Sequence, residues 1–116
     1  MKKLQNLGAD LQVVRQLTGL RQLDCAHLMG TAESRVSKIE TGVQRPYASE
    51  IATLSIIYGK PMESLLAGVL DANVEHLILR LRTMPSVSPT YRDRDHRTEA
   101  LRDLALRLEV LTTKTP

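Results

Sequence analysis

The side chains best suited to recognition chemistry lie close together, with Glu33, Ser34, Arg35, Ser37 and Lys38 inside a six-residue stretch. Guanidinium and ammonium groups donate hydrogen bonds, a carboxylate accepts them and a hydroxyl does both, so this set can read the polar edge of a partner molecule. Other reactive residue types are scattered. Cys25 is the only cysteine, which excludes an internal disulfide framework and a Cys-rich zinc site, and it reads as a small core hydrophobe. His27, His76 and His96 show no metal-ligand spacing. Asp93 and Asp95 alternate with Arg92, Arg94 and Arg97 and read as a solvated, self-neutralising stretch. There is no nucleophile elbow, phosphate-binding loop or dinucleotide fingerprint, so neither an enzyme nor a cofactor or metal site is expected.

The elements that must position the cluster follow from periodicity. The chain has 116 residues, 42% hydrophobic and 25% charged, with a formal net charge of +3. That suits one small globular domain with or without a helical appendage. Aromatic residues make up only 3%, which argues against stacking platforms for single strands while leaving duplex DNA open. Lys2 and Lys3 are not followed by an apolar run of signal or membrane-spanning length, so a cytoplasmic protein without a membrane partner is expected.

Apolar spacing between Gly and Pro punctuation is helical throughout, and an all-α fold follows. A first helix is predicted from Leu4 to Thr18 with Leu7, Leu11, Val14 and Thr18 on one face, stopped by Gly19. A second covers 21–29, with Cys25, Ala26 and Met29 inward, and ends at Gly30. Thr31 is expected to cap a third helix, about 32–41, whose inward residues are Ala32, Val36 and Ile39. A fourth spans Ala48 to Tyr58, and a short fifth begins at Pro61 and is closed by Gly68. Two further helices are predicted, from about Asp71 to Thr83 and from about Asp95 to Thr112, joined by the Pro- and Ser-rich loop 84–90. Residues 1–70 and 71–116 therefore read as two segments, carrying +2 and +1.

Gly8, Arg15, Gly19-Leu20-Arg21-Gln22, Ala26, Gly30, Val36-Ser37-Lys38-Ile39-Glu40-Thr41-Gly42 and Arg45-Pro46 together form a pattern. It resembles the Cro and phage-repressor type of helix-turn-helix domain, the XRE family, over about half the chain. The physical demands agree: Ala26 is small where two helices cross, Gly30 permits an unusual turn, and Val36 and Ile39 anchor the second helix. The resemblance implies a five-helix lambda-repressor-like domain over 1–70 whose recognition helix, 32–41, enters the major groove of duplex DNA. Arg35 and Lys38 would then donate to guanine, Ser34 serve either role, Glu33 accept from cytosine or face solvent or Arg35, and Ser37 touch phosphate or base. Gln22 matches a phosphate-binding position at a helix N-terminus, and Arg21, Gln44 and Arg45 flank the same edge. Thr31 is placed with these DNA-facing residues. Arg15 and Glu40 match an ion pair between the first helix and the end of the recognition helix, with Arg15 also expected to touch DNA.

Leu101, Leu104, Leu108 and Leu111 repeat at 3-4-3 spacing and, with Leu77 and Leu81, supply a seam for a homodimer through 71–116. The expected function is a sequence-specific transcriptional regulator, a repressor that binds an inverted repeat as a homodimer and is nucleoid-associated when bound. The alternatives are an antitoxin-type, phage or plasmid regulator whose C-terminal helices bind a protein partner, and a protein-interaction module that does not read DNA.

Overall fold

A computed structural model describes residues 6–113. Among them are seven helices and no strand: α1 Leu7–Thr18, α2 Gln22–Met29, α3 Glu33–Glu40, α4 Ala48–Tyr58, α5 Met62–Leu65, α6 Ala67–Leu81 and α7 Arg94–Thr113. The fold is all-α, as the periodicity predicts. The chain divides after Asp71 into two compact units.

In the first unit, Leu11, Cys25, Ala26, Val36, Ile39, Ile51, Leu54, Tyr58 and Leu65 form one buried core, with Leu7, Val14, Leu20, Met29, Ile57 and Leu66 packed against it. Every helix from α1 to α5 contributes, so none of them buries its apolar stripe alone. Cys25 is fully buried with its sulfur 3.6 Å from the Tyr58 hydroxyl. Burial, then the neighbouring Cys25, pushes that phenol well above its ordinary range. Two helices open with the same local device. The Asp24 carboxylate accepts the Arg21 backbone N–H at 2.8 Å and the Glu50 carboxylate accepts that of Tyr47 at 2.7 Å, satisfying N–H groups that a helix start leaves orphaned.

Several boundaries differ from the sequence expectation, each for a local reason. Leu4 lies outside the described residues, and Thr18 is exposed; the inward face of α1 is made by Gly8, Leu11 and Arg15, with Leu7 and Val14 packed at its edge as expected. Thr31 does not cap α3. Gly30 turns the chain at φ 72°, and the Thr31 N–H closes back on Ala26 O at 2.9 Å, which makes Thr31 part of the wrap that ends α2. The N-cap position falls to Ala32, which is extended and exposed and so is not a core residue. Pro61 likewise precedes α5 as its N-cap. Gly68 closes nothing: the break between α5 and α6 lies at Leu66, and α6 runs through Gly68. A helix-interior glycine costs only about 1 kcal/mol relative to alanine, too little to stop a helix continued by Val69, Leu70 and Ala72.

The start of α1 and the end of α3 approach each other closely. A Cβ placed on Gly8 would sit 2.6 Å from Glu40 O and closer still to Ile39 O. Backbone, not a flexible side chain, occupies the space, so only glycine lets the two helices meet at this distance.

The second unit, described by itself, consists of α6 beyond Asp71, the segment 82–93, and α7. The connecting segment is tied by turn hydrogen bonds from Tyr91 N to Ser88 O and Arg94 N to Tyr91 O, and by the Arg97 guanidinium donating to Pro85 O. The leucine seam is not uniform. Leu108 is buried, Leu81, Leu101 and Leu104 are half-buried, while Leu77 and Leu111 are 40% and 48% exposed. A hollow of about 350 Å³ lies among Ile78, Leu81, Ala105 and Leu108, with Arg82 and Glu109 also lining it. Among the described residues no helix is long and apolar enough to cross a membrane.

Gly8→Ala is expected to destabilise the first unit by about 1–3 kcal/mol through overpacking against fixed backbone. Urea unfolding followed by circular dichroism measures it, and an unchanged midpoint would contradict the close approach.

Candidate nucleic-acid interface

α3 is eight residues long and its two sides have separate duties. Val36, Ile39 and Glu40 are buried, while Glu33, Ser34 and Lys38 are exposed and Ser37 is half-buried. The turn Gly30-Thr31-Ala32 joins it to α2, so the exposed side of α3 lies in the chain just beyond the α2 C-terminus, and the segment 41–47 leads from it into α4.

Glu40 is the polar centre of this arrangement. Its Oε2 accepts Arg15 Nε at 2.7 Å, and its Oε1 accepts Arg15 Nη2 at 3.0 Å and Gln22 Nε2 at 3.0 Å. Arg15 Nη1 donates to Leu20 O at 2.8 Å. Both side chains are withdrawn from solvent, at 10% and 3% exposure. The bidentate hydrogen bonds to Glu40, opposed by the cost of burial, hold the Arg15 guanidinium above its ordinary pKa. Two residues expected to face DNA are thereby drawn into this network. The Arg15 donors are turned inward on Glu40 and Leu20, which is the ion-pair duty expected of it. Gln22, half-buried, spends one of its two amide N–H donors on Glu40 and keeps the other.

Arg35 is drawn into a second network. It does not present its fork for a guanine edge. Its Nε and Nη2 donate to the Glu50 carboxylate at 3.1 and 2.6 Å, Nη2 also donates to Arg45 O at 3.0 Å, and Nη1 donates to Gln44 Oε1. The guanidinium lies 4.9 Å over the Tyr47 ring, a cation–π stack. A guanidinium has five N–H bonds, and four are used here. The paired Arg35, partly offset by burial, holds the Glu50 carboxyl below its ordinary value of 4.5. Glu33, for its part, has Arg21 and not Arg35 as the cation whose charge it supports.

What stays available is a smaller set than the sequence offers. Glu33, Ser34 and Lys38 are exposed on α3, with Ser37 beside them. Lys38 and Arg45 are exposed and have no ion-pair partner among the described residues. Gln44 gives its oxygen to Arg35 but keeps its NH2 donors. Arg21 folds back on Asp24 at 2.8 Å and still has a side chain 72% exposed, and its guanidinium together with its backbone N–H lowers the Asp24 carboxyl to about 2. Thr31 is half-buried beside the turn. Sequence reasoning missed Tyr47 and Glu50. Glu50 is an acidic residue in the first turn of α4, which suits a helix start, but its pairing with Arg35, fifteen positions earlier, is tertiary.

No family model, curated protein or solved structure matches this chain.

Arg15→Ala strands Glu40 as a buried charge and is expected to cost about 3–5 kcal/mol in urea unfolding, against about 1 or less if the pair mattered only at the surface. The Glu50 pKa is lowered on folding, so its contribution is full above pH 4.5 and disappears as pH falls through the folded value. Wild-type melting temperature should therefore fall more steeply below pH 4.5 than that of Glu50→Gln, and parallel profiles would contradict the assignment.

Proposed function

We propose that the first unit is a duplex-DNA reader of the XRE type that the sequence resembles, with α3 as the recognition helix and the chain acting as a transcriptional repressor. The observation that carries this reading is the division of labour on α3. Its inward groups are engaged in the core or in the Glu40 network, and its outer side presents the Ser34, Ser37 and Lys38 side chains with no hydrogen-bond or ion-pair partner among the described residues. An α-helix with its side chains is about 10–12 Å across, which fits a major groove about 12 Å wide. Lys38 and Ser34 have the donors to meet purine N7 and O6 atoms, and Glu33 can accept from a cytosine amino group while Arg21 moderates its repulsion from phosphates. Arg21, Arg45 and the Gln44 amide supply contacts to the backbone at the flanks, which set register without carrying sequence information.

One helix of this size buries too little surface for strong operator affinity, and the second unit answers that need in this reading. Its exposed Leu77 and Leu111 and the apolar hollow suit a second copy of the chain, which would set two reading helices about 34–36 Å apart on an inverted repeat. The same apolar surface is what favours the second reading, a regulator whose C-terminal helices bind a different protein.

The test is selection of bound duplexes from a randomised pool by wild type and by Ser34→Ala/Lys38→Ala, which leaves the Arg35 and Arg15 networks intact. An enriched inverted repeat is expected from wild type. In the variant, preference should relax at the base pairs that these residues meet, at about 1–3 kcal/mol for each bidentate hydrogen-bonded pair removed. Affinity should also fall steeply with salt as counterions are displaced. A wild type that enriches no sequence sinks the reading.

A further inference from the structure

Arg35 stands on the reading helix, three residues before Lys38, yet its guanidinium is directed sideways. It reaches the Gln44 side chain, the Arg45 carbonyl and the Glu50 carboxylate, and it covers the Tyr47 ring. Glu50 is itself shared, because its Oε1 takes both Arg35 Nη2 and the Tyr47 backbone N–H. The segment is also hooked from its other end, where Gln44 N donates to Lys38 O at 3.0 Å. A connection that would otherwise be a surface loop is therefore fixed to α3 at several points from Gln44 to Glu50. Tyr47 gains most from this. Tyr47 as a residue is 69% exposed, with its ring beneath a guanidinium, and its hydroxyl has no hydrogen-bond partner among the described residues. An exposed tyrosine that is stacked in place is a donor whose rotamer entropy has already been lost, which is what efficient binding requires.

We infer that Arg35 is a positioning residue that reads no base, and that it presents the Tyr47 hydroxyl, with Arg45 beside it, to the phosphate backbone next to the base pairs met by α3. The inference rests on the DNA-reading function proposed above and assigns Tyr47 a role that the sequence does not signal. Arg35 suits the task where lysine would not, because only a planar fork can hold a carboxylate, an amide oxygen and a carbonyl together while stacking on a ring.

The experiment measures affinity and base preference of the full chain for the selected duplex and its single-base variants, comparing wild type, Arg35→Lys, Tyr47→Phe and the double variant. Melting temperatures are recorded alongside. Arg35→Lys should weaken binding to every duplex by about tenfold, the value of one charge-assisted hydrogen bond, with wild-type base preference. Tyr47→Phe removes one oxygen from the surface and should weaken binding by roughly threefold to tenfold without moving the melting temperature or the preference. Because Arg35 is held to act through Tyr47, the hydroxyl should matter much less in the Arg35→Lys background, a non-additivity that a merely structural arginine would not produce. Relaxed preference at a single base pair in Arg35→Lys makes Arg35 a direct reader and overturns the inference. So does a Tyr47→Phe that binds like wild type, or strict additivity. If wild type itself selects no sequence, the DNA-reading function falls and this inference with it, whereas failure of the variants alone leaves that function standing.

Discussion

Three N–H groups converge on the buried carboxylate of Glu40, and the placement of α3 depends on that convergence. Two come from Arg15 on α1 and one from Gln22 at the start of α2, so a single side chain at the end of α3 ties three helices together. The remaining arginine hydrogen bond, to Leu20 O, fixes the link between α1 and α2. Buried charge is tolerated because each partner is hydrogen-bonded, and no buried side-chain polar atom among the described residues lacks a partner. The absence of a side chain at Gly8 completes the joint, since α1 meets the carbonyls of Ile39 and Glu40 directly. An apolar core alone would permit helices to slide along one another. The ion pair and the close approach at glycine together allow one register.

The two arginines near α3 illustrate how surroundings assign duty to identical chemistry. Arg15 is enclosed and bridges helices. Arg35 lies near the rim, with a side chain 17% exposed, and ties the outgoing chain to the helix it has just left. Neither has its fork free, and the cations that can meet a partner are Lys38, Arg45 and the outward part of Arg21. Cations that look alike along the sequence are thus sorted into structural and available charge by which carboxylates fold against them.

The second unit follows a different logic. Its helices carry more apolar residues than the unit buries: Leu108 is enclosed, whereas Leu77, Leu79, Leu106, Val110 and Leu111 stay largely in solvent. Two helices joined by the connection 82–93 cannot cover each other on all sides, and a hollow among Ile78, Leu81, Ala105 and Leu108 is the geometric consequence.

Periodicity and punctuation determined the helical class, the order of the elements, most of the core and the position of the α2–α3 turn, because Leu11, Ala26, Val36, Ile39, Ile51 and Leu54 repeat at helical spacing and Gly30 has no competitor for a left-handed turn. The motif resemblance also anticipated the Arg15–Glu40 pair. Boundaries were less legible where two local signals competed: Thr31 has the chemistry of a cap but is drawn into the end of α2, and Gly68 has the chemistry of a stop but too small a helix penalty to act as one. The fates of Arg35 and Gln22 were decided only by tertiary structure. Whether a polar side chain faces solvent or a partner depends on which residues fifteen or eighteen positions away arrive beside it, and Glu50 and Glu40 reach them only when the helices pack.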